Sequence, residues 1–281
     1  MTKGPSTRAP RNRTLFLEAG DAARFVPPTL PDRISDGVFV GDALDFLSRL
    51  KTGSADLVVA DPPYNKGKDF GNNRDRRRDY ESWTAAWLDL AKRALSPAGS
   101  IYVCSAWERS GLIQRLLEER FVVRNRITWK RDKGRGAKAN WKNNHEDVWF
   151  ATAGERYTFN LEAVKVRKAV IAPYRDAEGR PKDWTESTDG RHRMTHPSNI
   201  WTDLCVPFWS MPENTPHPTQ KPERLVERIL LASSKPGEFV VDPFLGSGTT
   251  AVVARRLGRR FAGVDLNPEY VQLAMKRLSR T

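Results

Sequence analysis

The sequence predicts an α/β fold built on a doubly wound, mostly parallel sheet. Two apolar runs rich in β-branched residues, Leu57–Ala60 and Phe239–Val241, are typical of strands that are buried on both faces. From residue 239 to 278, strand and helix patterns alternate, as they do in parallel sheets covered by helices. Each apolar run ends at an aspartate, Asp61 or Asp242. Both acids are therefore expected at the carboxyl ends of strands, where open α/β sheets bind their ligands.

The other elements follow from hydrophobic periodicity and from turn residues. The segment Glu81–Leu95 has apolar residues at helical spacing and stops at a turn over Ser96–Gly99. The pair Asn267-Pro268 is a favourable N-cap and first residue of a helix. In chain order we predict strand 37–42, helix 43–50, strand 57–61, helix 81–95, strand 100–104, helix 112–117, paired strands 121–129 and 147–151, helix 222–233, strand 239–242, helix 249–257, strand 260–264 and helix 268–278.

Two regions depart from the pattern of a packed core. Residues 1–13 are polar and basic and contain proline, and we expect a disordered basic arm over residues 1–30. Residues 31–281 are long enough for one domain with a substantial insertion. Between residues 130 and 216 periodicity is weak, turn residues are frequent, and basic residues alternate with Trp, Tyr and His. We expect this range to be an inserted, loop-rich recognition region.

The composition narrows the class of partner and the compartment. The chain has 47 Lys and Arg against 34 Asp and Glu, a net charge of +13, which favours polyanionic partners such as nucleic acid. The chain has only two cysteines, too few for a disulfide framework, which fits a reducing compartment. Cys104 and Cys205 both stand among apolar residues in the sequence, so we expect both in the core. No apolar stretch is long enough to span a membrane and no secretory leader is recognisable. We therefore expect a cytoplasmic protein without membrane contact.

The string Asp242–Thr250 (DPFLGSGTT) has the properties of a loop that binds a nucleoside. Gly246 and Gly248 permit a sharp turn and a close approach of the backbone to a ligand at the start of a helix. Asp265 ends the next strand, where an acid binds ribose hydroxyls in dinucleotide folds. The loop lacks the third glycine of a dinucleotide site and the Gly-Lys-Ser/Thr of a phosphate loop. The carboxylate of Asp242 can instead neutralise a positively charged amino group on the ligand. These features favour S-adenosylmethionine over a nicotinamide cofactor or a nucleoside triphosphate; a tight turn without a ligand is the alternative.

The string Asp61-Pro62-Pro63-Tyr64 has the properties of a catalytic turn that acts on an exocyclic amine. The lone pair of such an amine is delocalised into the ring, so a site must accept hydrogen bonds from its N–H groups to direct the lone pair at a methyl donor. Asp61 offers a carboxylate oxygen and Pro62 a carbonyl, and the two prolines stiffen the turn. Tyr64 offers a ring face on which an extruded base can stack. The alternative is an ordinary strand-to-loop turn with a satisfied aspartate.

Together the two strings resemble the DNA amino-methyltransferases, which modify adenine N6 or cytosine N4. The order of the motifs resembles the permuted β class of this family, of the bacterial restriction-modification type: the DPPY turn comes first, a target-recognition region follows, and the cofactor block comes last. The resemblance covers residues 37–278. It implies a Rossmann-like fold of the S-adenosylmethionine-dependent methyltransferases with an inserted target-recognition region.

The resemblance also implies roles for individual positions. Asp42 and Ala43 match the position that contacts the cofactor adenine, Asp265 matches the ribose acid, and Thr219 and Lys221 match positions near the methionine end of the cofactor. The implied catalytic residues are Asp61, Pro62, Pro63 and Tyr64. The implied cofactor-binding residues are Asp42, Ala43, Asp61, Thr219, Lys221, Phe244, Gly246, Ser247, Gly248, Thr249 and Asp265.

Two further expectations come from the resemblance. The segment Asn144–Asp147 resembles the N-x-H-E turn of the family but departs from it at its last position. Because the motif order is permuted, the first and last strands are expected to be neighbours in the sheet. Asp42, Asp61, Phe244 and Asp265 are then expected to converge at one edge of it.

Basic residues after the catalytic turn and in the insertion are candidates for DNA contacts. Residues 121–145 are strongly basic and contain Trp129 and Trp141, a composition that suits phosphate contacts and base readout. A solvated charged hairpin is the alternative. Residues 66–79 follow the catalytic turn and are expected to close over the base, and residues 165–196 are a second recognition candidate. The predicted DNA-binding residues are Lys66, Lys68, Arg76, Arg77, Lys130, Arg131, Lys133, Arg135, Lys138 and Lys142.

Two other kinds of site are disfavoured. His192 and His196 are four positions apart but have no helix signal and no cysteines nearby, so we predict no metal site. Neither Cys104 nor Cys205 has the Pro-Cys context of the cytosine-C5 methylases. A thiolate mechanism on a ring carbon is therefore not expected.

The sequence thus predicts a site-specific DNA methyltransferase that uses S-adenosylmethionine and modifies the N6 amine of a flipped adenine in double-stranded DNA. Asp at the first position of the catalytic turn favours adenine, because cytosine-N4 enzymes of this resemblance more often begin with Ser. A cytosine-N4 methyltransferase is the first alternative; an RNA or protein amine methylase and an inactive DNA-binding homologue are the others. A cognate restriction endonuclease as partner, and a monomeric or homodimeric state, stay open.

Overall fold

The fold is organised around an eight-stranded sheet, with a second sheet of three short strands. The computed structural model describes residues 10–68, 75–131, 138–171 and 173–281. In chain order its strands are β1 (Gly37–Val40), β2 (Ala55–Ala60), β3 (Leu95–Ser105), β4 (Val122–Lys130), β5 (His145–Thr152), β6 (Val166–Ala169), β7 (Thr185–Ser187), β8 (Gly190–Thr195), β9 (Ile200–Trp201), β10 (Phe239–Asp242) and β11 (Arg260–Asp265). Its helices are α1 (Asp21–Arg24), α2 (Ala43–Ser48), α3 (Tyr80–Ala94), α4 (Trp107–Glu118), α5 (Leu161–Val164), α6 (Glu223–Ser233), α7 (Thr249–Arg256) and α8 (Pro268–Leu278).

The central sheet is mostly parallel, as predicted. Its strand order is β1-β11-β10-β2-β3-β5-β4-β9. The first five strands in this order are parallel to one another, and β5 is antiparallel to both β3 and β4. Strand β1 pairs with β11, from Gly37 opposite Ala262 to Val40 opposite Asp265. The first and last strands of the chain are therefore neighbours, which confirms the expectation drawn from the permuted motif order.

Helices cover both faces of this sheet. Successive residues of a strand point to opposite faces, and β2 shows the result. Val58 lies in one buried cluster with Phe46 of α2 and Trp87 of α3. Leu57 lies in a second buried cluster together with Ile229 of α6. Residues of α7 and α8 also belong to this second cluster. Each face of the sheet thus has its own apolar core, and the predicted doubly wound architecture is confirmed.

One turn predicted from the sequence lies inside a strand. The residues Ser96–Gly99, expected to follow a helix as a turn, belong to β3, which begins at Leu95. Leu95 is opposite Ala55 and Ser100 is opposite Leu57, so the extra residues are accommodated by a register shift between β2 and β3. Proline and glycine are tolerated there because the ladder is interrupted at an irregularity of this kind.

The predicted disordered arm over residues 1–30 is wrong for its second half. Residues 1–9 lie outside the described residues, but Leu15 and Phe25 are buried. Between them, the Asp21 carboxylate of α1 accepts a hydrogen bond from Nζ of Lys276 at 2.6 Å, and both side chains are buried. The ion pair holds α1 against α8, and the two buried apolar side chains show that residues 15–25 pack on the rest of the protein, so the domain begins earlier than residue 31.

The range 130–216, predicted as an inserted region, contributes in part to the central sheet. Strand β5 lies within this range and pairs with both β3 and β4. Strand β9 also lies within it and pairs with the edge strand β4, with Trp201 opposite Trp129. Outside the central sheet the range forms α5 and the antiparallel sheet β6-β8-β7, most of whose residues are exposed.

The two cysteines differ in environment. Cys104 is buried in β3, as expected, but Cys205 is exposed. Cys205 follows β9 in an irregular segment, where its apolar neighbours in sequence do not bring it into the core. In the part of the chain that the structure describes, none of the helices combines the length and apolarity needed to cross a bilayer.

Candidate active site

A cavity of about 540 Å³ lies where β1, β11, β10 and β2 end. Asp42, Asp61, Phe244 and Asp265 all line this cavity, so the expected convergence of these four residues is confirmed. The lining also includes the predicted site residues Ala43, Pro62, Pro63, Tyr64, Thr219, Lys221, Gly246, Ser247 and Thr249. Gly248 is the one predicted cofactor-binding residue that does not line it.

The glycine loop between β10 and α7 is shaped by two residues with positive φ. Gly246 has φ +52° and Gly248 has φ +80°, conformations that side chains with a Cβ rarely adopt. A Cβ atom at Gly246 would lie 3.1 Å from the His217 ring, and one at Gly248 would lie 2.5 Å from Cβ of Ala274 in α8. Gly246 therefore keeps the loop close to the cavity wall, whereas Gly248 allows α7 and α8 to pack together.

Three aspartates at strand ends make the cavity acidic. Asp42 caps α2 by accepting a hydrogen bond from the backbone N–H of Leu44 at 2.8 Å. The Asp265 carboxylate accepts hydrogen bonds from the N–H groups of Gly246 and Asn267, and burial raises its pKa. Burial also raises the pKa of Asp242, to about 7. Buried carboxylates of this kind are complementary to a cationic or hydroxyl-bearing ligand.

Aromatic side chains form the apolar part of the cavity wall. The Phe244 ring packs against Trp83 and Trp87 of α3, with centroids 5.7 and 5.3 Å apart. On the other side the His217 ring contacts Tyr270 at 4.4 Å between centroids. Burial and nearby positive charges, Lys221 foremost, lower the pKa of His217 to about 3, so this ring is neutral. His217 and Tyr270 line the cavity but were not predicted as site residues.

The turn Asp61–Tyr64, predicted as catalytic, is hydrogen-bonded to Lys221, which is distant in the sequence. Oδ1 of Asp61 accepts a hydrogen bond from the Tyr64 hydroxyl at 2.8 Å, and Oδ2 accepts one from Nζ of Lys221 at 2.5 Å. The Lys221 backbone carbonyl accepts a hydrogen bond from Oγ1 of Thr249, the first residue of α7. Lys221, predicted near the methionine end of a cofactor, therefore links the catalytic turn to the glycine loop.

Glu146 is a fourth member of this polar cluster, and sequence reasoning did not assign it a role. Its Oε2 lies 3.2 Å from the Tyr64 hydroxyl and 3.4 Å from Nζ of Lys221. Its Oε1 accepts from Arg131 at 2.6 Å. Burial alone would raise the pKa of Glu146, but Lys221 and Arg131 lower it. The only signal for Glu146 in the sequence was the partial match of Asn144–Asp147 to the N-x-H-E turn.

The loop after the catalytic turn is fastened at its base. The side chain of Asn65 donates to the carbonyl of Arg77 at 3.1 Å and accepts from the N–H of Arg77 at 2.7 Å. The Asp75 carboxylate accepts from the N–H groups of Lys66 and Lys68. These bonds hold the described ends of the loop at the cavity mouth.

The predicted DNA-binding residues have different surroundings. Of those in the loop after the catalytic turn, Lys68, Arg76 and Arg77 line the cavity, whereas Lys66 forms a salt bridge with Glu108 at 2.8 Å. Arg131 is paired with Glu146 and so lies within the polar cluster. Exposed residues of the insertion are Lys130, Lys138 and Lys142, and Trp141 beside them is 97% exposed. Lys133 and Arg135 lie outside the described residues.

A thiolate mechanism is disfavoured in this cavity. Cys104 lines it, but burial raises the pKa of its thiol well above the ordinary value, so a thiolate is disfavoured. Among residues 10–68, 75–131, 138–171 and 173–281, no group of three or more His, Cys, Asp or Glu side chains is arranged to hold a metal ion.

Solved structures with the same fold include a DNA methyltransferase and a protein in complex with S-adenosylmethionine. The PvuII DNA methyltransferase, described as cytosine-N4-specific, has a TM-score of 0.65 and 21% identity, and the match covers 90% of this chain and 89% of that one. M1.HpyAVI, solved in complex with S-adenosylmethionine, has a TM-score of 0.60 and 24% identity over 86% of this chain and 98% of that one. The fold is therefore the Rossmann-like methyltransferase fold.

Sequence comparison identifies the family within this class. A family model described as DNA methylase, for N6 and N4 methyltransferases, matches residues 55–276. The type II methyltransferase M.HpaI of Haemophilus parainfluenzae is 35% identical over 84% of this chain and 72% of its own length. The DNA adenine methyltransferase YhdJ of Escherichia coli K12 is 34% identical over 85% of this chain and 81% of its own length. The chain belongs to the N6/N4 DNA methylase family.

Proposed function

We propose that this protein transfers the methyl group of S-adenosylmethionine to the N6 amine of an adenine extruded from double-stranded DNA at a specific sequence. One observation carries the proposal: the acceptor-rich turn at Asp61 and the glycine loop at Gly246 line the same cavity. A turn that holds an amine and a loop that holds a nucleoside are the two parts that methyl transfer to a base requires.

The residues of the cavity suit S-adenosylmethionine. Asp242 contributes a buried carboxylate and Asp265 a half-buried one, which match the ammonium and the ribose hydroxyls of this molecule. Phe244 contributes an apolar face, and the positive φ of Gly246 keeps the loop backbone at the cavity wall. When bound, the cofactor supplies an electrophilic methyl group on a positively charged sulfur. The cofactor assignment thus draws on charge complementarity and shape.

The catalytic turn prepares the acceptor amine. The Asp61 carboxylate and the carbonyl of Pro62 accept hydrogen bonds from the two N–H groups, which directs the nitrogen lone pair out of the base plane. Lys221 holds the Asp61 carboxylate through an ion pair at 2.5 Å. The two prolines keep the turn rigid, so little reorganisation is needed when the base arrives. The side chain of Asp61 is 22% exposed, which leaves it accessible from the cavity.

The charge distribution supports double-stranded DNA as the substrate. The proposed compartment is the cytoplasm. The chain carries a net charge of +13. Lys68, Arg76 and Arg77 lie at the cavity and are positioned to contact the phosphates that flank an extruded base. Lys138, Lys142 and Trp141 are exposed residues of the insertion outside the cavity lining, and the two lysines add further positive charge. Base extrusion is required because the amine of a stacked, paired base does not reach a recessed carboxylate.

Adenine is proposed over cytosine because the catalytic turn begins with Asp61 and because the relative YhdJ is named a DNA adenine methyltransferase. The cytosine-N4-specific PvuII enzyme shares the fold, so the N4 amine of cytosine is the second candidate. The type II names of three relatives, M.HpaI among them, also support a restriction endonuclease of the same specificity as a partner. DNA modified by the protein would then resist that endonuclease.

The test is to incubate the purified protein with unmodified bacterial DNA and methyl-labelled S-adenosylmethionine, and then to digest the DNA and separate the nucleosides. We expect label in N6-methyldeoxyadenosine. Label in N4-methyldeoxycytidine would keep the mechanism and overturn the choice of base. No label in DNA, together with label in RNA or protein supplied in parallel, would overturn the proposed substrate.

A further inference from the structure

The Tyr64 hydroxyl lies between two carboxylates. It is 2.8 Å from Oδ1 of Asp61 and 3.2 Å from Oε2 of Glu146. A phenol has a single hydrogen, so it donates one full hydrogen bond to one of these acceptors at a time. Rotation about the C–O bond of Tyr64 is enough to transfer the hydrogen bond from one carboxylate to the other.

The catalytic carboxylate already has two hydrogen-bond donors before a target base arrives. Tyr64 donates to one oxygen of Asp61 and Lys221 donates to the other. An N–H of the target amine must then share an oxygen that already accepts a hydrogen bond. A carboxylate with an additional donor accepts more weakly, because its charge is already partly neutralised. The Tyr64 hydroxyl therefore competes with the target amine for Asp61.

Glu146 is arranged to take over this hydroxyl. Arg131 occupies its Oε1 at 2.6 Å, and Oε2 faces both the Tyr64 hydroxyl and Nζ of Lys221. The Glu146 side chain is 7% exposed, so solvent does not replace these partners. The ion pair between Arg131 and Glu146 thus orients Oε2 of Glu146, and Arg131 is not part of the catalytic turn.

We propose that Glu146 is a positioning residue that accepts the Tyr64 hydroxyl when the target amine binds to Asp61, and so leaves Oδ1 of Asp61 available to that amine. The inference deepens the proposed function and rests on it. Glu146 does not touch the base; it acts through Tyr64, and its second contact, with Lys221, keeps that lysine shared between the two carboxylates.

The first test is the variant Glu146→Gln, compared with Asp147→Asn. The Gln amide has one acceptor oxygen, so it cannot serve Arg131 and Tyr64 together. We expect the kcat of methyl transfer to fall about 10- to 100-fold, the size expected for one hydrogen bond to a charged group, with KM for S-adenosylmethionine within about twofold of wild type. Asp147 is the matched control, because it is buried, adjacent on β5 and paired with Arg126. Its variant should retain wild-type kcat.

A double-mutant cycle with Tyr64→Phe distinguishes positioning through the hydroxyl from a general structural role. If Glu146 acts by accepting that hydroxyl, Glu146→Gln should reduce kcat by less than about threefold in the Tyr64→Phe background. An equal fold reduction in both backgrounds would overturn the inference. So would a kcat for Glu146→Gln within about twofold of wild type. Glu146→Asp, which keeps the charge but shortens the side chain, is used if the Gln variant is poorly folded.

A readout without turnover separates this inference from the proposed function. The protein is labelled with ¹³C at the ζ carbon of tyrosine, and the Tyr64→Phe variant assigns the Tyr64 resonance among the six tyrosines. We expect this resonance to shift in Glu146→Gln and to stay in place in Asp147→Asn. An unchanged resonance would overturn the contact and with it the inference. Failure of the wild-type protein to label DNA at all, with the resonance shifted as expected, would overturn the proposed function alone.

Discussion

Nζ of Lys221 lies 2.5 Å from Oδ2 of Asp61, although 160 residues separate the two in the chain. Lys221 is 9% exposed, and the ion pair is the point at which the segment before α6 meets the turn after β2. Burial alone would lower the pKa of Lys221, but the carboxylates of Asp61 and Glu146 raise it. The lysine thus compensates two negative charges that the cavity could not otherwise hold close together.

Replacement of Lys221 by Met should destabilise the protein more at high pH than at low pH. Without the ammonium group, Lys221 no longer offsets the burial of Glu146, and the pKa of Glu146 rises above its unfolded value. The folded state then binds more protons than the unfolded state above pH 4, so stability falls as the pH increases through this raised pKa. We expect a loss of about 3–5 kcal/mol in the free energy of unfolding at pH 8, and a smaller loss at pH 5.

The matched control for this variant is Lys276→Met. Lys276 is also buried and is paired with Asp21 at 2.6 Å, but it does not line the cavity. Denaturant unfolding and methyl transfer should be measured for both variants. Loss of methyl transfer in Lys221→Met alone supports the account, whereas equal activity of both variants would contradict it.

Asp242 should make cofactor binding depend on pH. Its folded pKa of about 7 lies above its unfolded value, so this carboxyl makes folding less favourable as the pH rises from about 4 through 7. An ammonium group on the ligand favours the ionised form, so affinity should increase with pH, by up to about tenfold per unit below pH 7. Calorimetric titration of S-adenosylmethionine between pH 5.5 and 7.5 measures this slope.

Asp242→Asn is the comparison, because any titration of the ligand itself is common to both proteins. The variant should bind S-adenosylmethionine more weakly at pH 7.5 and with a flatter dependence on pH. An identical slope in the two proteins would show that Asp242 does not pair with the ligand.

The exposed lysines of the insertion should contribute to DNA affinity without base specificity. Lys138→Ala combined with Lys142→Ala should weaken DNA binding and reduce the slope of log K against log salt by about 0.9 for each phosphate that the variant no longer neutralises. Lys51→Ala combined with Lys235→Ala removes the same charge from exposed positions before β2 and β10, at the opposite ends of these strands from the cavity. Equal effects of the two double variants in fluorescence anisotropy would count against a DNA surface on the insertion.

Gly248→Ala should destabilise the protein more than Gly258→Ala, although the two glycines have similar backbone conformations. Gly248→Ala places a Cβ 2.5 Å from Cβ of Ala274, whereas Gly258, with φ +72°, has its nearest contact at 3.9 Å. Both variants cost about 1 kcal/mol of backbone strain, and Gly248→Ala adds about 1–3 kcal/mol of overpacking between α7 and α8. Thermal unfolding of the two variants compares them directly; similar melting temperatures would argue against the close packing at Gly248.

The strand-end motifs were predictable because their chemistry is local. Asp61 and Asp242 each follow an apolar run, and the resemblance of the motif order to the permuted class implied that β1 and β11 are neighbours. Glu146 could not be inferred in the same way, because its partners come from separate segments of the chain. Contacts of this kind depend on tertiary packing, which neither periodicity nor propensity encodes.

The N-terminal segment and the insertion also show that local sequence patterns do not predict long-range packing. The arm was extended to residue 30 from the polar and basic composition of residues 1–13, but apolar side chains beyond that range, among them Leu15 and Phe25, are buried. Within the insertion, strand β5 was predicted over residues 147–151, but the two-residue strand β9 was not, because its pairing with β4 is a long-range contact that local periodicity does not show. Local composition therefore underestimated how much of the chain packs against the central sheet.

The most direct test of the account is methyl transfer by Asp61→Ala, measured beside its affinity for S-adenosylmethionine. Asp203→Ala is the control, since Asp203 forms an ion pair with Arg228 and does not line the cavity. We expect Asp61→Ala to lose transfer to DNA while it binds S-adenosylmethionine with nearly wild-type affinity, and Asp203→Ala to retain both properties. Turnover by Asp61→Ala at the wild-type rate would contradict the assignment of Asp61 as the residue that holds the target amine.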